Sequence, residues 1–152
     1  MKTNSLKQQL YDFCAEYVDQ RIASYKKAMH DAQEAANSEG KSSAGDKYET
    51  GRAMMQIERD KNAKQLEEAL KLDKTLKSFS PLKENSLIDL GSLIHTDKGI
   101  FYISISAGKI EIEKKHYFAI APTAPLALLF INKKKGDAVS FNNTTYIIEK
   151  VI

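Results

Sequence analysis

The segment that decides the fold is Ser38-Glu39-Gly40-Lys41-Ser42-Ser43-Ala44-Gly45-Asp46, a run of small and polar residues that contains two glycines. On either side of it lie about thirty residues without proline, from about Ser5 to Asn37 and from about Lys47 to Ser78. Both flanks are rich in good helix formers, so we predict two long helices joined by a short turn as an antiparallel coiled-coil hairpin. Thirty helical residues span about 45 Å, which makes the turn the tip of an arm.

Apolar residues at alternating spacings of three and four support this prediction. In the first helix one such stripe consists of Leu6, Leu10, Phe13 and Tyr17. A neighbouring stripe consists of Cys14, Val18, Ile22, Tyr25, Met29, Ala32 and Ala36. We expect the second helix to return a less regular apolar face made of Ala53, Ile57, Ala63, Leu66, Leu70 and Leu76.

A change of composition at Ser78-Phe79-Ser80-Pro81 predicts a domain boundary, because Pro81 blocks continuation of a helix. We therefore expect a hairpin over 1–79, with an acidic tip near 38–49, and a second domain over 80–152. The predicted elements of the second domain are strands over 90–96, 100–105, 110–113, 117–121, 138–141 and 145–152, with a short helix from Pro125 to Phe130. This α+β plan has a mostly antiparallel sheet, and its small core should need packing against the base of the hairpin.

Composition and charge narrow the class of protein. The formal net charge of +3 does not favour duplex DNA as the main partner, and we expect no sequence-specific DNA binding. No apolar run approaches the roughly 20 residues of a membrane span, and the N-terminus lacks the apolar core of a signal peptide. A single cysteine, Cys14, lies on an apolar stripe and fits a reducing compartment. We expect a cytoplasmic protein without a membrane partner.

Two segments resemble the Gre family of bacterial transcript-cleavage factors. Gly45-Asp46-Lys47-Tyr48-Glu49 looks like the family's Gly-Asp-x-x-Glu at the tip of a helical hairpin. The segment over 121–129 is similar to the family's Ser-Pro-x-x-x-Ala-Leu stretch, and Lys133-Lys134-Lys135-Gly136-Asp137-Ala138-Val139 to the Gly-Lys-x-x-Gly-Asp-x-Val that follows. Asn132 stands at the position of that family's first glycine. The resemblance covers nearly the whole chain and implies an FKBP-like C-terminal domain.

The resemblance also implies a function in transcription elongation. In Gre factors the tip enters the secondary channel of RNA polymerase and helps to hold an Mg²⁺ ion that the polymerase uses to cleave backtracked RNA. Asp46 and Glu49 would be these catalytic carboxylates, and Lys41, Lys47, Arg52 and Arg59 would face the RNA. The chain would then be an accessory factor with no cofactor of its own and no enzymatic activity in isolation.

Ordinary structural roles remain open for the same residues. Carboxylates in a first helical turn stabilise the helix N-terminus, and the basic side chains suit a solvated coiled-coil surface. Because Thr50-Gly51-Arg52 follows Glu49 where the family has more acidic residues, a regulator that occupies the channel without stimulating cleavage is a close alternative.

Two further classes of function compete with these readings. An FKBP-like fold alone suggests a peptidyl-prolyl isomerase, although fold does not carry function and the chain has no Trp for a deep proline pocket. The hairpin alone suggests a coiled-coil interaction or dimerisation module. The three histidines, His30, His95 and His116, have no metal-ligand spacing.

Overall fold

A computed structural model describes the backbone over residues 2–39 and 45–152 and the side chains over 6–38 and 50–152. Two long helices open the chain, α1 from Lys2–Glu39 and α2 from Gly45–Lys77. With 38 and 33 residues they are about 57 Å and 50 Å long. The predicted pair of proline-free helices around the small-residue segment is therefore confirmed.

The chain packs as two compact units, each with its own set of contacts. The arm unit consists of Val18–Asp73. The sheet unit consists of Met1–Tyr17 together with Lys74–Ile152. The sheet unit thus includes the first turns of α1, which agrees with the expectation that the small domain packs against the base of the hairpin.

In the arm unit, α1 and α2 meet along a seam of small residues. On α1 the seam buries Val18, Ala32 and Ala36, as the predicted stripe requires. On α2 it buries Asn62 and Ala69. The three alanines of this seam leave room for a close approach of the two helices.

The predicted face of α2 is wrong at three positions. Ile57 is 68% exposed and Leu70 46% exposed, and Ala53 is also exposed. At 100° per residue, Ile57 lies about 140° around the helix from Asn62, so both cannot face α1. The buried line of α2 runs instead through Asn62, Ala69 and, in the sheet unit, Leu76. These residues are spaced seven apart, so they lie on one side of the helix.

The sheet unit contains a six-stranded sheet of order β3-β4-β2-β1-β6-β5. Its strands are β1 (Leu93–Thr96), β2 (Gly99–Ile103), β3 (Gly108–Ile112), β4 (Lys115–Ile120), β5 (Ala138–Phe141) and β6 (Thr144–Val151). All neighbours are antiparallel except β2 and β4, which are parallel. A short helix, α3, spans Pro125–Phe130. The α+β class, the mostly antiparallel sheet and the short helix are confirmed.

Three two-residue turns connect the hairpins of this sheet, and two of them contain residues with positive φ angles. Asn142 and Asn143 adopt positive φ angles of 50° and 63°, as the predicted hairpin turn requires. Glu113 and Lys114 do the same with φ angles of 49° and 66°, although neither is a typical turn residue. Strand β4 therefore starts at Lys115, two residues before the predicted start at Tyr117.

The sheet has a buried core on each of its faces. Ile94, Phe101 and Ile103 point to the face covered by α3, where they pack with Ala127 and Phe130. Because side chains alternate along a strand, Tyr102 points to the opposite face. That face meets the first turns of α1, where the Sγ atom of Cys14 lies 3.6 Å from the Oγ atom of Ser104.

The predicted first stripe of α1 needs one correction. Leu10 is fully buried, but Phe13 is 41% exposed. The buried line of α1 runs instead through Lys7, Leu10, Cys14 and Val18. Phe13 lies off this line by about 100° around the helix, so it reaches the edge of the packed surface and not its centre.

Candidate functional site

The tip residues predicted to be functional lie at the start of α2 or just before it. Lys41 lies outside the described residues. Asp46, Lys47 and Glu49 belong to the first turns of α2, and their side chains lie outside the described residues. The assignment of Asp46 and Glu49 as tip carboxylates stays a prediction, with the helix that carries them now defined from Gly45 onward.

The described part of the predicted site begins with Arg52. Its side chain is exposed on α2, and Arg59 is half-buried two helical turns further on. Residues seven apart share a face of an α-helix, so both guanidinium groups lie on one side of the arm. Arg59 Nη1 lies 3.5 Å from Asp60 Oδ1, a loose and solvent-exposed pair that holds it only weakly. Both groups suit contacts to phosphate oxygens.

Next to these arginines, α2 exposes apolar side chains. Met54 is 59% exposed and Ile57 is 68% exposed. Exposed apolar residues at a spacing of three form a small patch on an otherwise polar helix. The apolar pattern of the sequence does not predict this patch, because it places Ile57 in the seam.

A shallow cleft of about 180 Å³ lies on the arm further from the tip. It is lined by Arg21, Tyr25, Gln65, Glu68, Ala69 and Leu72. The buried Ala69 forms part of its lining, and the longer side chains of both helices surround it. The cleft is of the size of one side chain, and it is too small for a substrate of drug size.

The second resembling segment lies in and after α3. Leu128 and Leu129 of α3 are 61% and 40% exposed, while Ala127 and Phe130 are buried. The lysine run at 133–135 is exposed in the turn that follows. Lys134 donates its backbone N–H to Asp137 Oδ2 at 2.9 Å, so Asp137 holds this turn in shape. An apolar pair beside a basic turn is the surface that this segment presents.

Two residues of that turn have left-handed backbone conformations. Asn132 has φ +66° and Gly136 has φ +95°. Glycine tolerates this region freely, and Asn is the side chain that most often substitutes for it. The backbone at Asn132 is therefore one that glycine also adopts, as in the pattern that the sequence resembles.

A buried lysine is the main feature that the sequence did not predict. Lys7 is fully buried, and its Nζ atom donates to the backbone oxygens of Lys83 and Ile152, the latter at 3.2 Å. Burial lowers the pKa of Lys7 below its ordinary value, and the nearby Glu84 carboxylate partly opposes this. Lys7 ties together three distant parts of the chain, which is a structural role.

Cys14 and Tyr102 are also buried ionisable groups. Burial raises the pKa of the Cys14 thiol, so the thiolate that a nucleophile needs is disfavoured. Burial likewise raises the pKa of the Tyr102 hydroxyl well above its usual value. The predicted packing role of Cys14 agrees with its full burial. Neither group is placed for nucleophilic chemistry.

Within the described residues, no group of three or more His, Cys, Asp or Glu side chains is placed to hold a metal ion. His116 Nε2 lies 3.1 Å from Glu111 Oε1 on the surface of the sheet, and His30 Nε2 lies 3.8 Å from Glu34 Oε1 on α1. Burial lowers the pKa of His95, which keeps its imidazole neutral at pH 7. Each histidine thus has a separate environment.

The face of the sheet under α3 is filled by aromatic rings. Phe101 lies at the centre, with ring centroids 5.6 Å from Phe130, 5.8 Å from Tyr146 and 5.9 Å from Phe118. Such distances correspond to direct ring contact. The four rings therefore form one packed aromatic cluster on this face of the sheet.

Membrane association through a spanning helix finds no support in the described chain, where no helix combines the length and apolar character needed to cross a bilayer. A scan against models of known protein families finds no match, and comparisons with curated proteins and with solved structures find no significant match. The function of the chain has to be inferred from its own residues and their geometry.

Proposed function

We propose that this chain is a Gre-like transcription elongation factor. In this proposal it binds RNA polymerase, inserts the segment between α1 and α2 into the secondary channel, and stimulates cleavage of backtracked RNA by the polymerase. It acts as an accessory factor whose contribution is the pair of carboxylates on Asp46 and Glu49. The sheet unit is proposed to have an FKBP-like fold.

The observation that carries the proposal is the order and size of the elements. Two helices of 38 and 33 residues flank a short segment, and a small α+β unit follows. The Gly45 to Glu49 motif falls on the first turns of α2, and the second motif includes most of α3, the turn after it and the start of β5. The glycine-compatible backbone at Asn132 adds to this agreement.

The chemistry of the tip follows from its donor atoms. Carboxylate oxygens are the protein ligands that Mg²⁺ prefers, and two of them leave most of the coordination shell to water and to a second protein. Mg²⁺ shared in this way with polymerase carboxylates would supply the activated water for hydrolysis of the RNA backbone. Asp46 and Glu49 are suited to hold the ion only in the presence of the polymerase.

The basic residues near the tip have a supporting role in this proposal. Lys41, Lys47, Arg52 and Arg59 would meet the nascent RNA, which carries one negative charge per nucleotide. Arg52 is exposed, and the pair between Arg59 and Asp60 is loose enough to exchange for a phosphate. These contacts are independent of RNA sequence.

Docking on the polymerase is assigned to the sheet unit. Leu128 and Leu129 expose an apolar pair on α3, and the lysines at 133–135 add positive charge beside it. A surface of this kind fits a protein partner with an apolar contact and an acidic rim.

A non-cleaving regulator of the same channel is the second candidate. It is favoured by Arg52, an exposed cation only three residues after Glu49. A positive charge three positions from Glu49 in the sequence would compete with a metal ion for the carboxylate. Such a factor would enter the channel and block other cleavage factors.

The proposal is tested on RNA polymerase that is stalled and backtracked on a template, with and without this protein. Mg²⁺-dependent shortening of the RNA that is faster with the protein supports the cleavage factor. No acceleration, together with protection against another cleavage factor, supports the non-cleaving regulator. Absence of both effects and of polymerase binding rejects the proposal and leaves the coiled-coil interaction module.

A further inference from the structure

Among the described residues, the β3 strand lies at one end of the sheet and pairs only with β4. It contains Gly108, Lys109, Ile110, Glu111 and Ile112. An end strand presents a row of backbone N–H and C=O groups that can pair with a further strand. Its outer edge is therefore a surface to which another extended chain can pair.

The turn between β3 and β4 decides which groups face outward. A two-residue turn, Glu113 and Lys114, makes Ile112 and Lys115 a hydrogen-bonded pair, after which bonded and non-bonded pairs alternate. Ile110 thus bonds to β4, whereas the backbone groups of Lys109 and Glu111 face the open edge. By the same alternation, the backbone groups of Ile120 on β4 face β2. In agreement, the backbone oxygen of Ile120 accepts a hydrogen bond from the Ser104 N–H, just after β2, at 2.9 Å.

The side chains at this edge are self-complementary. Lys109 and Glu111 are both exposed and lie on either side of Ile110, which is fully buried. When two copies of β3 pair antiparallel about Ile110, Lys109 of one copy lies opposite Glu111 of the other, and the reverse pair forms by symmetry. These two residues are also the ones whose backbone groups are free to form the four inter-strand hydrogen bonds.

We propose that this protein forms a twofold-symmetric dimer in which β3 pairs antiparallel with β3 of a second copy. The partner surface is then a strand with opposite charge at each matched position, which the chain itself supplies. The other end strand, β5, offers Ala138 and Ser140 at the equivalent outward positions and has no such charge match. The dimer is independent of the proposed role in transcription.

The affinity of this dimer is expected to be modest. One pair of five-residue strands buries less area than a standard stable interface, so we expect a dissociation constant between about 10 µM and 1 mM. The charge pairs are exposed, so added salt should weaken the dimer. A weak dimer of this kind is monomeric in dilute assays and forms at high protein concentration.

A charge-swap series on the full chain tests the pairing by sedimentation analysis from about 10 µM to about 1 mM. K109E alone and E111K alone each place like charges opposite one another in both pairs, so each should weaken self-association by about tenfold or more. The double variant K109E/E111K restores opposite charges and should dimerise like the wild type. An equimolar mixture of K109E and E111K should form a mixed dimer.

Hydrogen exchange supplies a second measurement that does not depend on the variants. The amides of Lys109 and Glu111 should become protected as the protein concentration rises. The amide of Ile110, which bonds to β4 in the monomer, should not change, and neither should those of Ala138 and Ser140.

Two results overturn the proposal. One is a mass that stays monomeric to about 1 mM, which would make Lys109 a charge that keeps the open edge from pairing. The other is self-association that the single reversals leave unchanged, or that the double variant fails to restore.

Discussion

Replacing Leu10 by alanine tests which line of α1 is packed in the sheet unit. Leu10 is fully buried, and the substitution removes its branched end from a packed core. Leucine-to-alanine changes at such sites cost about 2.7 to 5.0 kcal/mol, of which the larger values belong to sites that cannot collapse. We expect a loss of about 3 kcal/mol in the free energy of unfolding and a melting temperature lower by about 6 to 12 °C.

Phe13→Ala is the matched control on the same helix. The side chain is larger than that of Leu10 but is 41% exposed, so only part of its area leaves water on folding. We expect this variant to lose about 1 kcal/mol. From the sequence alone the larger loss is expected at Phe13, since phenylalanine is the larger of two residues on one predicted stripe.

Urea unfolding, followed by circular dichroism and tyrosine fluorescence, measures both variants. A shift of the midpoint with an unchanged slope shows that stability changed and that the unfolded state did not. A loss for Phe13→Ala that equals or exceeds the loss for Leu10→Ala would refute the packing of α1 described above.

Three further substitutions test single features of the sheet unit. Burial lowers the pKa of Lys7 in the folded state, so between this pKa and about 10.5 the unfolded chain binds more protons, and the free energy of unfolding rises with pH. Lys7→Met should abolish that rise in unfolding measurements from about pH 7 to about pH 11. The same pH slope in the variant and the wild type would contradict this. Asn132 has φ +66°, so Asn132→Gly should change the free energy of unfolding by less than about 1 kcal/mol, whereas Asn132→Val should lower it by about 1 to 2 kcal/mol. Equal stability of the two variants in urea would rule out the left-handed backbone. Phe101→Leu removes the ring contacts to Phe130, Phe118 and Tyr146 and should lower the free energy of unfolding by about 2 kcal/mol. A loss below about 0.5 kcal/mol, measured by calorimetry, would contradict the aromatic cluster.

The regular elements could be predicted because their signals are local. Proline-free stretches with a helical period gave α1 and α2, and the Asn142-Asn143 turn gave the hairpin of β5 and β6. The predicted start of β4 is two residues too late, because Glu113 and Lys114 form a left-handed turn although neither is a residue typical of such turns.

The buried polar residues could not be predicted, because their partners are distant in the sequence or lie on the backbone. Lys7 is satisfied by backbone oxygens 76 and 145 residues away. Asn62 donates a hydrogen bond from Nδ2 to the backbone oxygen of Glu58 on its own helix, at 2.9 Å. With this partner it can lie in the seam, where the apolar pattern of the sequence places Ile57. Patterning identifies which residues avoid water, but not which polar groups find partners.

The residues of the candidate site also differ in how far the structure describes them. Exposure of Arg52 agrees with a contact role, whereas Asp46 and Glu49 were identified by a motif and their role stays a prediction. Carboxylates in a first helical turn look alike in sequence whether they stabilise a helix or meet a metal ion. The difference between these roles lies in the partner.

The most direct test of the central claim is the rate of RNA cleavage in a backtracked polymerase complex with the double variant D46N/E49Q. The matched control is E34Q/E67Q, which removes the same charge from exposed positions on α1 and α2. We predict that D46N/E49Q binds the polymerase like the wild type and loses stimulated cleavage by about 100-fold or more, a loss typical of removing a group that acts on the transition state. The control should keep full stimulation. Stimulated cleavage that D46N/E49Q retains in full would contradict the account.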